Sequence, residues 1–169
     1  ILEQSGYSHY EISNWAFPGY ECQHNLTYWD NQPYLGVGPG AHSYIDGYRF
    51  HQVKSPRSYI GKVSGWANRG AQKTRPLNST HLKKIETLEN SETVDLKLEM
   101  KETVFLGLRL MAGLNIRKFQ QRFGISFMEM YNQQVTELSE LGLLEQIGSV
   151  LRLTPKGIML SNQVFVRFM

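Results

Sequence analysis

An α+β fold is predicted, and three observations on the 169 residues predict it. The first third alternates short β-leaning stretches with turns, four of them marked by glycine, and the last third reads as helix, helix, two short strands, helix. The single cysteine, Cys22, excludes an internal disulfide and any multi-cysteine zinc or iron–sulfur site supplied by this chain alone. Apolar content of 41% and charged content of 20% belong to a globular protein. No apolar run approaches the roughly 18–20 residues that span a bilayer. No leader peptide is visible either, so the cytoplasm is the expected compartment.

The chain opens on ILEQSGYSHYEIS, without an initiator Met, as the last turn of an apolar helix stopped by Gly6. A β-leaning stretch follows, which predicts an αβ connection and a chain that is the C-terminal piece of a larger protein. Residues 10–13 and 34–38 are expected as strands, and 41–50 as a hairpin turning at Asp46-Gly47. Ser55 and Pro56 then cap and start a helix that Gly70 ends. A link through Pro76 leads to a long helix over 92–111, with Val94, Leu98, Phe105, Leu108 and Ala112 on one face.

The last third carries a more specific pattern. NIRKFQQRFG is a short helix ended by Gly124, and SFMEMYNQQVTELSELG is a second, with Phe127, Tyr131, Leu138 and Leu141 inward. Two short strands around Gly148 form a small wing, and Thr154-Pro155 opens a last helix. This is a winged-helix pattern, yet its charge argues against DNA. Residues 126–145 hold no Lys or Arg and four glutamates (Glu129, Glu137, Glu140 and Glu145), whereas DNA affinity comes mostly from cations at phosphates. A structural or docking role is expected instead.

Charge is uneven elsewhere too. Residues 1–50 hold one basic residue against five acids, and residues 51–90 hold eight against two. Such a segment is either a solvated face or a surface for nucleic acid, anionic lipid or an acidic partner.

The stretch that asks for a function is YECQHNLTYWDNQPYLGVGPGAHS, residues 20–43. Eleven of the chain's twenty aromatics lie in its first fifty residues. Packed core and ligand pocket both remain open on that composition, because Tyr, Trp and His each carry a polar group that wants a partner. Cys22 and His24 are too few to define a metal site. On a short helix His24 and Tyr28 share a face at i, i+4, which stands an imidazole beside an aromatic wall. Imidazole is a common axial ligand of haem iron, and the absence of C-x-x-C-H excludes covalent attachment. A satisfied structural histidine stays open as the alternative. GVGPGA lacks the third glycine and the following helix of a dinucleotide loop. Close approach of backbone to another segment or to a cofactor fits it better.

YEISNWAFPGYECQHNLTYW followed by YLGVGPGAHS, with FLGLRLMAGLN and LRLTPKG further on, resembles the radical-SAM oxygen-independent coproporphyrinogen III oxidase family, on its haem-chaperone branch. The resemblance implies a parent with a partial (β/α) barrel, a C-x3-C-x2-C motif holding a [4Fe-4S] cluster, and S-adenosylmethionine. Residues 1–54 would then be the closing strands of that barrel, 55–91 a connecting helix and linker, and 92–169 a mostly helical, winged-helix-like C-terminal domain. The cluster cysteines are absent, so this chain is expected to be inactive alone, with no catalytic residue and no cofactor of its own. The resemblance makes His24 the haem contact, with Asn25, Tyr28 and Trp29 beside it, and no metal beyond haem iron at His24. It places Gly36, Gly38, Gly40 and Ala41 near the cofactor.

The expected function is haem binding and delivery. The alternatives are oxidative decarboxylation of propionate side chains in porphyrin synthesis, or a winged-helix binding module without redox chemistry. Expected partners are haem or porphyrin, the missing N-terminal barrel and a haem-receiving protein. Self-association through apolar surface is expected as well, and DNA is not. The basic segment, with Lys54, Arg57 and Lys62, is assigned to an acidic face of the barrel or of a partner.

Overall fold

The computed structural model describes residues 1–67 and 85–169, apart from the side chains of residues 66 and 67. The helix stop expected at Gly70 and the link at Pro76 lie outside the described residues. By packing, the chain forms two compact units, Ile1–Asn31 with Lys97–Met169, and Gln32–Leu96.

The first unit opens on a 3-10 turn, Glu3–Ser5, that Gly6 ends with φ 84°. The strand expected at 10–13 is shifted two residues towards the N-terminus. β1 (Ser8–Glu11) pairs antiparallel with β2 (Asn14–Ala16), because the chain already turns at residues 12 and 13. Helix α1 (Gln23–Trp29) follows. Much later comes an antiparallel three-stranded sheet of β6 (Leu114–Asn115), β7 (Leu144–Ile147) and β8 (Val150–Leu153), in the order β6-β8-β7.

Against that sheet lie α4 (Ile116–Phe123) and α5 (Phe127–Glu140), then the short helices α6 (Pro155–Met159) and α7 (Ser161–Val166). Asn115 caps α4 by accepting the N–H groups of Arg117 and Lys118 at 3.0 and 3.1 Å. Thr154 caps α6 through the N–H of Gly157, and Pro155 takes the first helical position, as expected. Phe119, Phe127, Tyr131, Val135, Leu138, Leu151 and Val164 are among the buried residues of one continuous apolar core. Burial raises the Tyr131 hydroxyl above its ordinary pKa of 10.0.

The second unit contains the antiparallel sheet β3 (His42–Ile45), β4 (Tyr48–Gln52) and β5 (Leu88–Thr93), in that order, with α2 (Pro56–Ala67). The hairpin at Asp46-Gly47 is as expected. Both residues have positive φ, 50° and 75°, as a tight two-residue turn between twisted strands requires. Ser55 caps α2 through the N–H of Ser58.

Three expectations fail here. The long helix over 92–111 is α3 (Leu96–Gly107), because residues 88–93 pair with β4 instead and the chain leaves the helix after Gly107. Its buried positions are Met100, Thr103, Val104 and Gly107, a stripe at i, i+3, i+4, i+7. Of the expected face, Val94 and Leu108 are buried outside the helix, Leu98 is 40% exposed, Ala112 is exposed and Phe105 is half-buried. On α5 the fourth inward residue is Val135. Leu141 caps the helix end and is 53% exposed. Residues 34–38 form no strand: Tyr34 bridges Tyr44, and the positive φ of Gly38 (110°) and Gly40 (70°) around Pro39 turns the chain away from any ladder.

Candidate functional site

Helix α1 has seven residues, and none of them is buried. A helix that short is marginal by itself, so its order depends on what grips it. Its cap residue, Cys22, makes no side-chain bond to the first turn. The grip comes from three places in the first unit.

At the start of the helix, Asn25 Nδ2 donates to the Tyr10 hydroxyl of β1 at 3.3 Å. In its last turn the Trp29 ring lies under the Arg109 guanidinium, 4.4 Å from its carbon to the ring centre. Arg109 Nη2 pairs with Glu11 Oε2 at 3.3 Å, and the Glu11 side chain is fully buried. The other carboxylate oxygen accepts the Ser13 N–H and the Asn14 amide. Backbone bonds from Ile12 N to the Arg109 carbonyl and from Met111 N to the Tyr10 carbonyl hold the two segments together. Two nitrogens in this cluster, Trp29 Nε1 and Arg109 Nε, are buried without a hydrogen-bond partner among the described residues.

The third grip closes the helix end. Asn31 turns the chain with φ 47°. Arg122, on α4, donates to the Asp30 carbonyl at 3.3 Å and to the Asn31 carbonyl at 2.7 Å. Its Nη2 also meets Glu99 Oε1 at 2.6 Å. Asn31 Nδ2 donates to Thr103 Oγ1 at 3.0 Å. A cation on the last carbonyls of a helix satisfies open acceptors and complements the helix dipole.

What these grips leave facing outward is His24. Its ring stands edge-on to Tyr28, with centres 4.7 Å apart and planes at 89°, as i, i+4 spacing on a helix predicts. The imidazole is exposed and makes no hydrogen bond with any described residue. An imidazole left open in this way is of the chemical kind that ligates a transition metal. Asn25 and Trp29 are engaged with Tyr10 and Arg109.

The glycine run belongs to the second unit. A Cβ on Gly36 would fall 2.1 Å from the His42 carbonyl oxygen, so only glycine fits against that strand. The N–H groups of Gly38 and Gly40 reach the Tyr59 hydroxyl at 3.3 Å and the Val53 carbonyl at 3.0 Å, and that of Ala41 reaches the Gly38 carbonyl. Among the described residues no three His, Cys, Asp or Glu side chains gather as a metal-binding group. The residues present therefore do not fit an iron–sulfur cluster, whose ligands are thiolates.

Sequence reasoning missed Glu11, Glu99, Arg109 and Arg122. Arg109 meets Glu11 across 98 residues and Arg122 meets Asn31 across 91, so no local spacing signals either contact.

Residues 94–160 match the HemN C-terminal domain family. Over 100% of its length the chain is 37% identical to the Heme chaperone HemW of Lactococcus lactis, covering 39% of that protein. Against the Heme chaperone HemW of Bacillus subtilis it is 36% identical, covering 99% of this chain and 40% of the relative. The chain resembles the C-terminal part of the coproporphyrinogen III oxidase family, on its haem-chaperone branch.

The bovine radical S-adenosyl methionine domain-containing protein 1, mitochondrial, is 30% identical over 85% of this chain and 31% of its own. Among solved structures, coproporphyrinogen III oxidase (HemN) from Escherichia coli, a radical SAM enzyme, shares the fold. The TM-score is 0.66 at 17% identity, covering 99% of this chain and 38% of that one. The mixed α+β architecture is thus that of part of a coproporphyrinogen III oxidase, and the chain spans about two fifths of the HemW relatives' length. Among the described residues no helix is long and apolar enough to cross a membrane.

Proposed function

We propose that this chain is the haem-binding C-terminal part of a cytoplasmic radical-SAM protein of haem metabolism, and that His24 is its contact to haem iron. The observation that carries this reading is the exposed imidazole of His24, without a hydrogen-bond partner among the described residues and set edge-on to Tyr28 on a helix held from three sides. Similarity to proteins named as haem chaperones supports it.

Haem, when bound, would supply an iron that an imidazole can ligate. In this reading His24 is the ligand, Tyr28 fixes the tilt of its ring, and Asn25 and Trp29 hold the helix that presents both. The parent supplies the [4Fe-4S] cluster, S-adenosylmethionine and the rest of the barrel, of which residues 1–54 form the closing part. Residues 55–91 connect that part to a winged-helix-like domain over 92–169, and a haem-receiving protein is the partner. The loop with Gly36, Gly38, Gly40 and Ala41 is assigned to the cofactor side of the barrel. The exposed side chains of Leu35 and Val37 (66% and 80%) support it as surface meant to be covered, and also support self-association of the isolated chain. Lys54 and Arg57 are exposed and Lys62 is half-exposed, in keeping with a surface for an acidic partner.

The test is a hemin titration of the full-length parent protein. A Soret shift is expected that His24→Ala weakens at least several-fold, and identical spectra for both proteins would remove His24 from the site. Turnover of coproporphyrinogen III by the reconstituted parent would favour the oxidase.

A further inference from the structure

We infer that Arg122 is a positioning residue for the haem contact, so that the C-terminal helical domain sets the geometry in which His24 is presented. This inference rests on the reading of His24 given above.

The argument begins with what α1 lacks. It has no fully buried residue and no side-chain cap at its start, so directional polar contacts rather than a buried apolar face set its angle. Its start is tied by one hydrogen bond, from Asn25, and its flank by the Arg109–Trp29 contact. The tightest bonds are at the end. Arg122 spans the carbonyls of two successive residues, Asp30 and Asn31, while its charge is met by Glu99 at 2.6 Å. A planar guanidinium can do this in one fixed orientation, whereas a lysine ammonium cannot bridge the same acceptors with the same geometry.

The fork acts on the turn that carries Tyr28. The Asn31 N–H donates to the Tyr28 carbonyl at 3.0 Å, and the Asp30 N–H donates to the Leu26 carbonyl at 2.8 Å. Movement of Asp30 and Asn31 therefore moves Tyr28, and the Tyr28 ring is the edge against which His24 stands. The path runs from α4 through the Arg122 fork to the last turn of α1, then to Tyr28 and the imidazole. Side chains that hold a metal ligand in place without touching the metal commonly change affinity by roughly 10–100-fold when removed. Arg122 is two steps further out, through Asn31 and then Tyr28, so no more than the low end of that range is expected.

The experiment is a double-mutant cycle on the full-length parent protein, read by hemin titration and by the fraction of bound haem with an imidazole-ligated spectrum. Arg122→Met is expected to weaken hemin binding roughly tenfold and to lower that fraction. Arg122→Lys recovers part of the loss. On the His24→Ala background Arg122→Met adds nothing further, because the ligand it positions is gone. Arg167→Gln, which breaks an exposed ion pair with Glu137 on α5, is the control and leaves the spectrum unchanged.

Wild-type binding and spectrum in Arg122→Met, alongside a weakened His24→Ala, would overturn the positioning role and leave the His24 reading intact. Losses that add in the double variant would overturn it too, since Arg122 would then act through the fold at large. If His24→Ala binds hemin as the wild type does, the reading of His24 falls and this inference with it. Should Arg122→Met fail to fold, Arg122→Lys decides by the same spectral criterion.

Discussion

Two regions of the first unit are built on opposite principles. The core around α4, α5 and β8 is apolar and continuous, with Phe119, Phe127, Leu151 and Val164 buried against one another. Helix α1, which carries the candidate site, has no fully buried residue and is held by charged and polar side chains from β1, α3 and α4 and from the segment after α3. The first arrangement is robust because its attraction is non-directional and spread over many contacts. The second is directional: each bond fixes an angle, so losing one is expected to shift the helix as well as to weaken the fold. A ligand site gains from that trade, because geometry matters there more than added stability.

The largest effect should come from the core. Phe127→Ala, at a position with two aromatic neighbours, Phe119 and Tyr131, is expected to cost about 3–5 kcal/mol in chemical denaturation. The hemin spectrum of the molecules that remain folded should be unaltered. Next is Glu11→Ala, which leaves Arg109 facing a buried gap. The cost should be about 3 kcal/mol, at the low end for a broken buried pair because Arg109 is 20% exposed. Here the contrast is sharp. Glu11→Ala should weaken hemin binding more than the more destabilising Phe127→Ala does, and the reverse order would break the comparison.

These two regions were also unequally legible. The helices, the β7–β8 hairpin and the caps of the last third follow from apolar period, Gly124, Gly148 and Thr154-Pro155, because each is a local rule read within a few residues. His24 and Tyr28 were legible for the same reason, as i, i+4 neighbours on a short helix. The long helix over 92–111 misled, since its first residues are as content in the edge strand β5, and strand pairing with β4 decided between them. Arg109 and Arg122 could not be read at all. Arg109 meets Glu11 and Arg122 meets Asn31 across some ninety residues or more, and an isolated arginine carries no periodic signal.

Smaller effects sharpen the picture at its edges. Gly36→Ala would push a methyl into the His42 carbonyl, and a loss of about 1–3 kcal/mol is expected for the second unit, visible as lowered hydrogen-exchange protection across β3 and β4. Thr154→Ala, which removes the α6 cap, should cost about 1 kcal/mol. The smallest is a pH effect at Tyr131. Burial raises its pKa in the folded state above the unfolded value of 10.0, so its contribution to stability is fully present below pH 10.0 and is lost as pH rises past it. Tyr131→Phe should flatten that alkaline slope in a pH series of urea melts.

The most direct test of the central claim is chemical rescue of the ligand itself. In full-length His24→Gly the imidazole-ligated hemin spectrum should be lost, and free imidazole added to that variant should restore it. A His24→Gly protein that keeps the wild-type spectrum without added imidazole would contradict the account.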